Sequence, residues 1–355
     1  MDTHTGLTRF LLRRESLLVI LIIIVATLNA RLSPFFLDTD NLLRTSSDFV
    51  EIGIMMLPMV FIIITGDIDL SVASILGLTA SLMGWLFMGG WNIWLAVAVA
   101  FLVALVCGFV NGWLIARMKL PALVVTIGTL SLYRGLAYVL LGDQAARGYP
   151  ESFTYLGQGT LGDSSVPFGL LLFIVLAVVF GLVLHRTTFG RYLYAMGNNA
   201  NASRYSGVKV DSIKLSLFVL SAAMAALAGF ILAARFGSTR PDIGTGLELT
   251  VITVTVLGGV SIYGGSGTMV GAVLALILVG ILRFGMGLIN LQGQVQDIVI
   301  GALLILSILV PKLGSLRQAV ASPQKGSWRG LAVGASVAVL FVLFFFWSRS
   351  LVLAP

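Results

Sequence analysis

Two carboxylates two residues apart, Asp67 and Asp69, stand where Thr65-Gly66-Asp67-Ile68-Asp69-Leu70-Ser71 interrupts a long apolar stretch. Two kinds of chemistry suit them. They could be proton or cation ligands of an ion-coupled carrier, or they could serve the start of the next helix, with Ser71 able to cap it. Arg134 and Arg283 lie inside other apolar runs, and charges inside spans are costly enough to need a cavity or a partner. Arg134 is roughly 20 Å of helix rise beyond Pro121, and Arg283 is similarly placed in its own run. Each could reach headgroups, pair with Glu51 or Glu248, or line a substrate path. A catalytic set is missing: the chain has no H-E-x-x-H, no G-x-S-x-G elbow and no paired-cysteine motif. Gly264-Gly265-Ser266-Gly267-Thr268 lacks the Lys of a phosphate loop. The chain is thus expected not to be an enzyme, and any energy input must come from a partner or an ion gradient. One cysteine (Cys107) and two histidines (His4, His185) give no basis for a metal site or a disulfide framework, and no cofactor is expected.

The elements that must position these residues are membrane helices. Of 355 residues, 58% are hydrophobic and 10% charged, against about 45–50% and 25% in soluble domains. Lipid must therefore be the solvent. A span takes about 20 apolar residues, and apolar runs broken by Gly, Pro, Asn or charge mark ten: 17–36, 47–65, 70–88, 93–115, 121–141, 167–184, 215–235, 249–263, 268–289 and 297–311. An eleventh candidate covers 331–347. The expected fold is an all-α polytopic membrane protein with residues 1–321 as the transmembrane domain and 322–355 as a C-terminal extension. The 40 glycines have no three-residue period, so collagen is excluded, and they point to close backbone contacts or helix breaks inside a bundle.

Arg9, Arg13 and Arg14 precede the first run, which continues to about Ala30 without a small-residue cleavage site and reads as an uncleaved helix. With the N-terminus inside, inner segments hold 14 of the 22 Lys and Arg, as the positive-inside rule requires. The net charge of +7 is then an inner-face bias, and nucleic acid is not an expected partner.

Two halves are recognisable. The break at Gly66, Asp67, Asp69 and Ser71 has a counterpart at Gly258, Gly259, Gly264, Gly265 and Gly267, about 190 residues on. Small residues follow each break: Gly77, Ala80, Ser81 and Gly84 in one half, Gly271, Ala272, Ala275 and Gly280 in the other. Broken helices in corresponding positions are a transporter device that lines a pathway.

The basic inner loop 185–214 is long for a connection, carries Tyr192, Tyr194 and Tyr205, and holds a helix-like stretch at 199–205 between Gly197 and Gly207. It reads either as a charge anchor or as a docking element for a cytoplasmic partner. The outer loop 142–166 opens on Gly142-Asp143-Gln144-Ala145-Ala146-Arg147-Gly148-Tyr149-Pro150, either solvated or in contact with an external protein.

Residues 63–72, Asn111-Gly112-Trp113-Leu114-Ile115-Ala116-Arg117 through Pro121, 126–138, Gly190-Arg191 with Tyr194-Ala195-Met196-Gly197-Asn198-Asn199, Ser206-Gly207-Val208, and 256–267 together resemble membrane subunits of the ribose-type ABC sugar importers. The resemblance spans about residues 17–312 in order. It implies a ten-helix permease of the bacterial cytoplasmic membrane with its N-terminus in the cytoplasm. It also implies three partners: a second permease subunit, cytoplasmic ABC ATPase subunits, and an extracytoplasmic sugar-binding protein that delivers a monosaccharide. Residues Arg191, Tyr194, Gly197, Asn198, Asn199, Arg204 and Gly207 would then belong to the ATPase-coupling loop. Residues 141–150 and 237–241 look most like the rhamnose-importer branch, with autoinducer-2 permeases as near relatives. The usual family form Gly-Gly-Ile-Asp-Leu-Ser-Val-Gly is altered here: Asp67 replaces its second Gly and Ala73 its last. The rival expectation is a cation-coupled secondary sugar carrier using Asp67 or Asp69.

Overall fold

The computed structural model describes residues 14–303 and 305, residue 163 excepted. The eleventh candidate span, the 322–355 extension and the end of the tenth span lie outside the described residues. Helices follow in the order α1 (Arg14–Leu32), α2 (Thr39–Ser46), α3 (Val50–Ile64), α4 (Val72–Met88), α5 (Ile93–Ala116), α6 (Ala122–Leu141), α7 (Glu151–Gln158), α8 (Phe168–Arg186), α9 (Thr188–Asn198), α10 (Ala200–Tyr205), α11 (Val210–Phe236), α12 (Leu247–Leu257) and α13 (Met269–Leu288). Residues 293–303 are helical as well. Strands β1 (Ala146–Arg147) and β2 (Ser238–Thr239) make a two-residue antiparallel pair. Among the described residues, seven helical stretches are long and apolar enough to cross a membrane, and α4 and α12 are shorter apolar helices.

Pattern explains position. Helix α3 has no polar stripe, and all 15 of its residues are buried, as a helix apolar on every side must be. Small residues let α4 pack almost as completely, with Ala73, Gly77, Ala80 and Ser81 all buried. Around this centre, α5, α6 and α8 turn large apolar side chains outward, among them Leu102, Val106, Val139, Val178 and Leu182. Such faces suit lipid or another apolar helix rather than water. Helix α11 crosses α5 where Gly108 and Gly112 leave no side chain, so that a Cβ on Gly108 would stand 2.7 Å from the Phe218 carbonyl oxygen. Gly108-Phe109-Val110-Asn111-Gly112 is a G-x-x-x-G contact between helices.

The chain reverses at two ends. One, the basic end, gathers the turns 65–66 and 117–121, the 187–209 stretch and the 258–268 turn. The other, the hairpin end, gathers 89–92, the 142–167 stretch with β1, and 237–240 with β2. Local signals place these reversals: Asn92, Thr187, Asn199 and Thr268 cap α5, α9, α10 and α13 through their side-chain oxygens, while Pro121, Pro150 and Pro167 stand just before α6, α7 and α8.

Three sequence expectations need correction. The span 47–65 opens on a 3-10 turn at Ser47–Phe49 and is regular α-helix only in α3, from Val50 to Ile64, because short polar residues at 45–48 interrupt the apolar helix. The span 249–263 ends at Leu257, where Gly258 and Gly259 stop it. The 142–166 loop is neither simply solvated nor free, since it carries β1 and α7 and buries Ala146, Tyr149 and Phe153 against its own chain.

Candidate functional site

The break after α3 does not stay at the basic end. Asp67 pairs with Lys214 at 2.6 Å, but Asp69 accepts a hydrogen bond from Ser221, about 16 Å along α11 from Val210. Residues 67–71 therefore climb into the bundle without regular structure, and α4 begins within it. Asp69, 1% exposed, accepts from the Ser71 amide at 2.9 Å, the Ser71 hydroxyl at 2.6 Å and the Ser221 hydroxyl at 2.8 Å. The expected cap is thus corrected: Ser71 donates rather than accepts, and Asp69 forms the turn that leads into α4. Asn111 donates to the Ser71 hydroxyl at 2.8 Å, and Tyr133 donates to Asn111 Oδ1 at 3.1 Å. This network satisfies the polar groups of an irregular segment buried among apolar helices, as an interior without water demands.

Three backbones meet at the basic end. The Gly265 amide donates to the Ile64 carbonyl at 2.8 Å, joining the two breaks directly. Gly197 of α9 lies on that joint, and a Cβ there would overlap both the Ile64 carbonyl oxygen and the Gly265 amide nitrogen. Tyr194 adds a hydroxyl bond to the Gly267 carbonyl at 2.7 Å, and a Cβ on Gly265 would stand 2.6 Å from Asn198 Oδ1. The 185–214 stretch and both breaks, separate in sequence, thus form one structural unit.

That stretch is two helices. In α9, Gly190, Leu193 and Met196 turn inward, while Arg191, Tyr192 and Asn198 stay exposed. Asn199 Oδ1 accepts from the Ala202 amide at 2.9 Å and starts α10, which ends at Gly207 through a bond from its amide to the Arg204 carbonyl. Arg204 and Lys119 both pair with Asp211, pinning α10 to the starts of α6 and α11. Tyr205 is 94% exposed.

The two embedded arginines find partners that the sequence did not name. Arg134 hydrogen-bonds neither Glu51 nor Glu248; it donates to the carbonyls of Ala73, Pro241 and Ile243 at 2.8–2.9 Å. Arg283 pairs with Asp297 at 2.9 Å. Glu51 is taken by Arg235 at 2.9 Å, which also pairs with Asp48. A cavity of about 500 Å³ at the hairpin end is lined by Trp85, Met88, Trp91, Leu140, Gly142 and Gln144.

Sequence reasoning missed Asn111, Tyr133, Lys214 and Ser221. The signal for Asn111 and Tyr133 was a lone polar group inside an apolar run; nothing local named their partners.

The family model described as "Branched-chain amino acid transport system / permease component" matches residues 41–308. The "Autoinducer 2 import system permease protein LsrD" of Klebsiella pneumoniae is 39% identical over 89% of this chain and 96% of its own length. The proteins of that name from Enterobacter sp. (38%) and Escherichia coli O9:H4 (36%) each match 86% of this chain and 94% of their own length. No solved structure matches. These findings agree with the resemblance to ribose-type importer permeases, on its autoinducer-2 side rather than its rhamnose side. With a many-helix apolar fold and a family match over three quarters of its length, the chain belongs to the branched-chain amino acid transport system permease component family.

Proposed function

We propose that this chain is the membrane-spanning subunit of an ATP-driven importer whose cargo is autoinducer 2 or a chemically similar sugar. The basic end faces the cytoplasm, the N-terminus lies on that side, and the exposed face of α9 and α10 docks on ABC ATPase subunits. A second permease subunit completes the pathway, and an extracytoplasmic binding protein delivers the cargo at the hairpin end. The relatives' names support the cargo; they lend no support to rhamnose. The single observation that carries the mechanism is Gly197, which touches both helix breaks through backbone atoms. A push on α9 therefore reaches both breaks without passing through a flexible side chain. At the break Asp67 is paired with Lys214 and Asp69 is held by Ser71 and Ser221, so both carboxylates already have a structural role.

The test is uptake of labelled autoinducer 2 by cells in which the chain is replaced by its Gly197→Ala variant. Insertion and ATP hydrolysis by the assembled complex should persist while uptake falls about ten-fold or more, the scale of an ordinary coupling free energy. Normal ATP-driven uptake by this variant sinks the coupling assignment. Uptake by the chain alone in liposomes, driven by an ion gradient, overturns the importer reading in favour of a carrier.

A further inference from the structure

Arg134 lies about 18 Å along α6 from Ala122, deep enough that its charge must be satisfied by protein. Its three acceptors come from two elements. Nη2 donates to the Ala73 carbonyl in the first turn of α4 at 2.9 Å; Nη1 donates to the carbonyls of Pro241 and Ile243, both at 2.8 Å. Gly77 makes the room, since a Cβ there would overlap the guanidinium and stand 3.2 Å from the Ile243 carbonyl oxygen.

Residues 240–246 enter the bundle from the hairpin end. Above them the chain is tied down by the β1–β2 pair and by the Tyr149 hydroxyl on Thr239 at 2.8 Å. Within the segment the backbone bonds are local turns: Ile243 to Arg240, Thr245 to Asp242 and Leu247 to Gly244. Pro241 and Ile243 face inward and are buried, whereas Asp242, Thr245 and Gly246 are exposed. The next residue, Leu247, begins α12, which leads to the Gly258 break. The guanidinium fork thus holds a turn-rich, re-entrant segment against the small-residue face of α4.

We propose that Arg134 is a positioning residue for transport, latching the 240–246 segment onto α4 as a gate at the hairpin end. Release of its bonds lets the segment leave α4 and carry the start of α12 with it. The proposal rests on the transport reading and orientation given above, but its main measurement needs neither cargo nor ATP.

The reporter is Ile243→Cys in the full-length chain, whose own Cys107 is buried, probed with a membrane-impermeant maleimide on right-side-out vesicles. Labelling is slow in that background. Adding Arg134→Gln should raise its rate about ten-fold, since charge-assisted bonds to two carbonyls of the segment are lost. Arg134→Lys, a point charge without the planar fork, should fall between the two. Arg283→Gln, which removes a similar cation from its pair with Asp297, should leave the rate unchanged. In uptake assays without the reporter, Arg134→Lys should raise KM more than it lowers the maximal rate. An unchanged labelling rate in an inserted Arg134→Gln protein overturns the latch. If that variant fails to insert, an unchanged rate in Arg134→Lys does so. Absence of uptake in the parent chain, with the labelling difference intact, counts against the transport reading instead.

Discussion

Asp69 shows how much one carboxylate can organise. Its oxygens take three hydrogen bonds in a site without solvent, and two of the donors are hydroxyls with no water to turn to. Asp69→Ala should therefore cost about 2 kcal/mol or more, given about 1–3 kcal/mol for each buried donor left unpaired. Asp69→Asn keeps a carbonyl acceptor toward Ser71 and should recover most of that. Thermal midpoints of the detergent-solubilised variants decide it, and equal midpoints for alanine, asparagine and parent would rule the network out as a stabilising feature. The sequence made Asp67 and Asp69 conspicuous because charge is rare in such a chain. It left their partners hidden, since Lys214 and Ser221 are about 150 residues away and nothing local marks them as neighbours. The same limit explains Arg134: a buried cation called for a partner, and acids were the obvious ones. Backbone carbonyls, which every residue carries, leave no trace in composition.

Among elements, the crossing of α5 and α11 depends on two missing side chains. A Cβ on Gly108 would stand 2.7 Å from Ala222 Cβ and 2.8 Å from Val219 Cα, and one on Gly112 would stand 3.0 Å from Leu215 Cα. Gly108→Leu should drive the helices apart at a cost of about 1–3 kcal/mol, typical of overpacking. The checks are the yield of monodisperse protein and its melting temperature. Gly128→Leu, on an open face of α6 with nothing within 4 Å, should change neither. Helices α1, α5, α6, α8, α11 and α13 were legible as apolar runs, their limits within a few residues of the expected ones. Helix α9 was not, because its inward face uses Gly190 and Gly197 along with Leu193 and Met196, and glycines dilute a helical pattern. The climb of residues 67–71 into the bundle was also unreadable, for depth follows from packing against α6 and α11 rather than from the segment itself.

For the molecule as a whole, the distribution of charge bears on which way up it sits. Arg117, Lys119, Arg186, Arg191, Arg204, Lys209 and Lys214 all fall at the end where both breaks meet, and the positive-inside rule supports the proposed cytoplasmic placement of that end. Tyr205 stands almost fully exposed there, so Tyr205→Cys makes a clean reporter of sidedness beside the buried Cys107. An impermeant thiol reagent should label it in inside-out vesicles and leave it untouched in intact cells. The reverse pattern would invert the topology and take the ATPase-docking surface with it.

The bond from the Gly265 amide to the Ile64 carbonyl differs in kind from the contacts around it. The ion pairs that Asp211 makes with Lys119 and Arg204 are partly exposed, so salt screens them and acid removes them. A peptide–peptide bond has no titratable atom and no net charge. This bond is accordingly insensitive to acidity and ionic strength, whereas changes in medium act on how α10 is held and on the Asp67–Lys214 pair beside the first break.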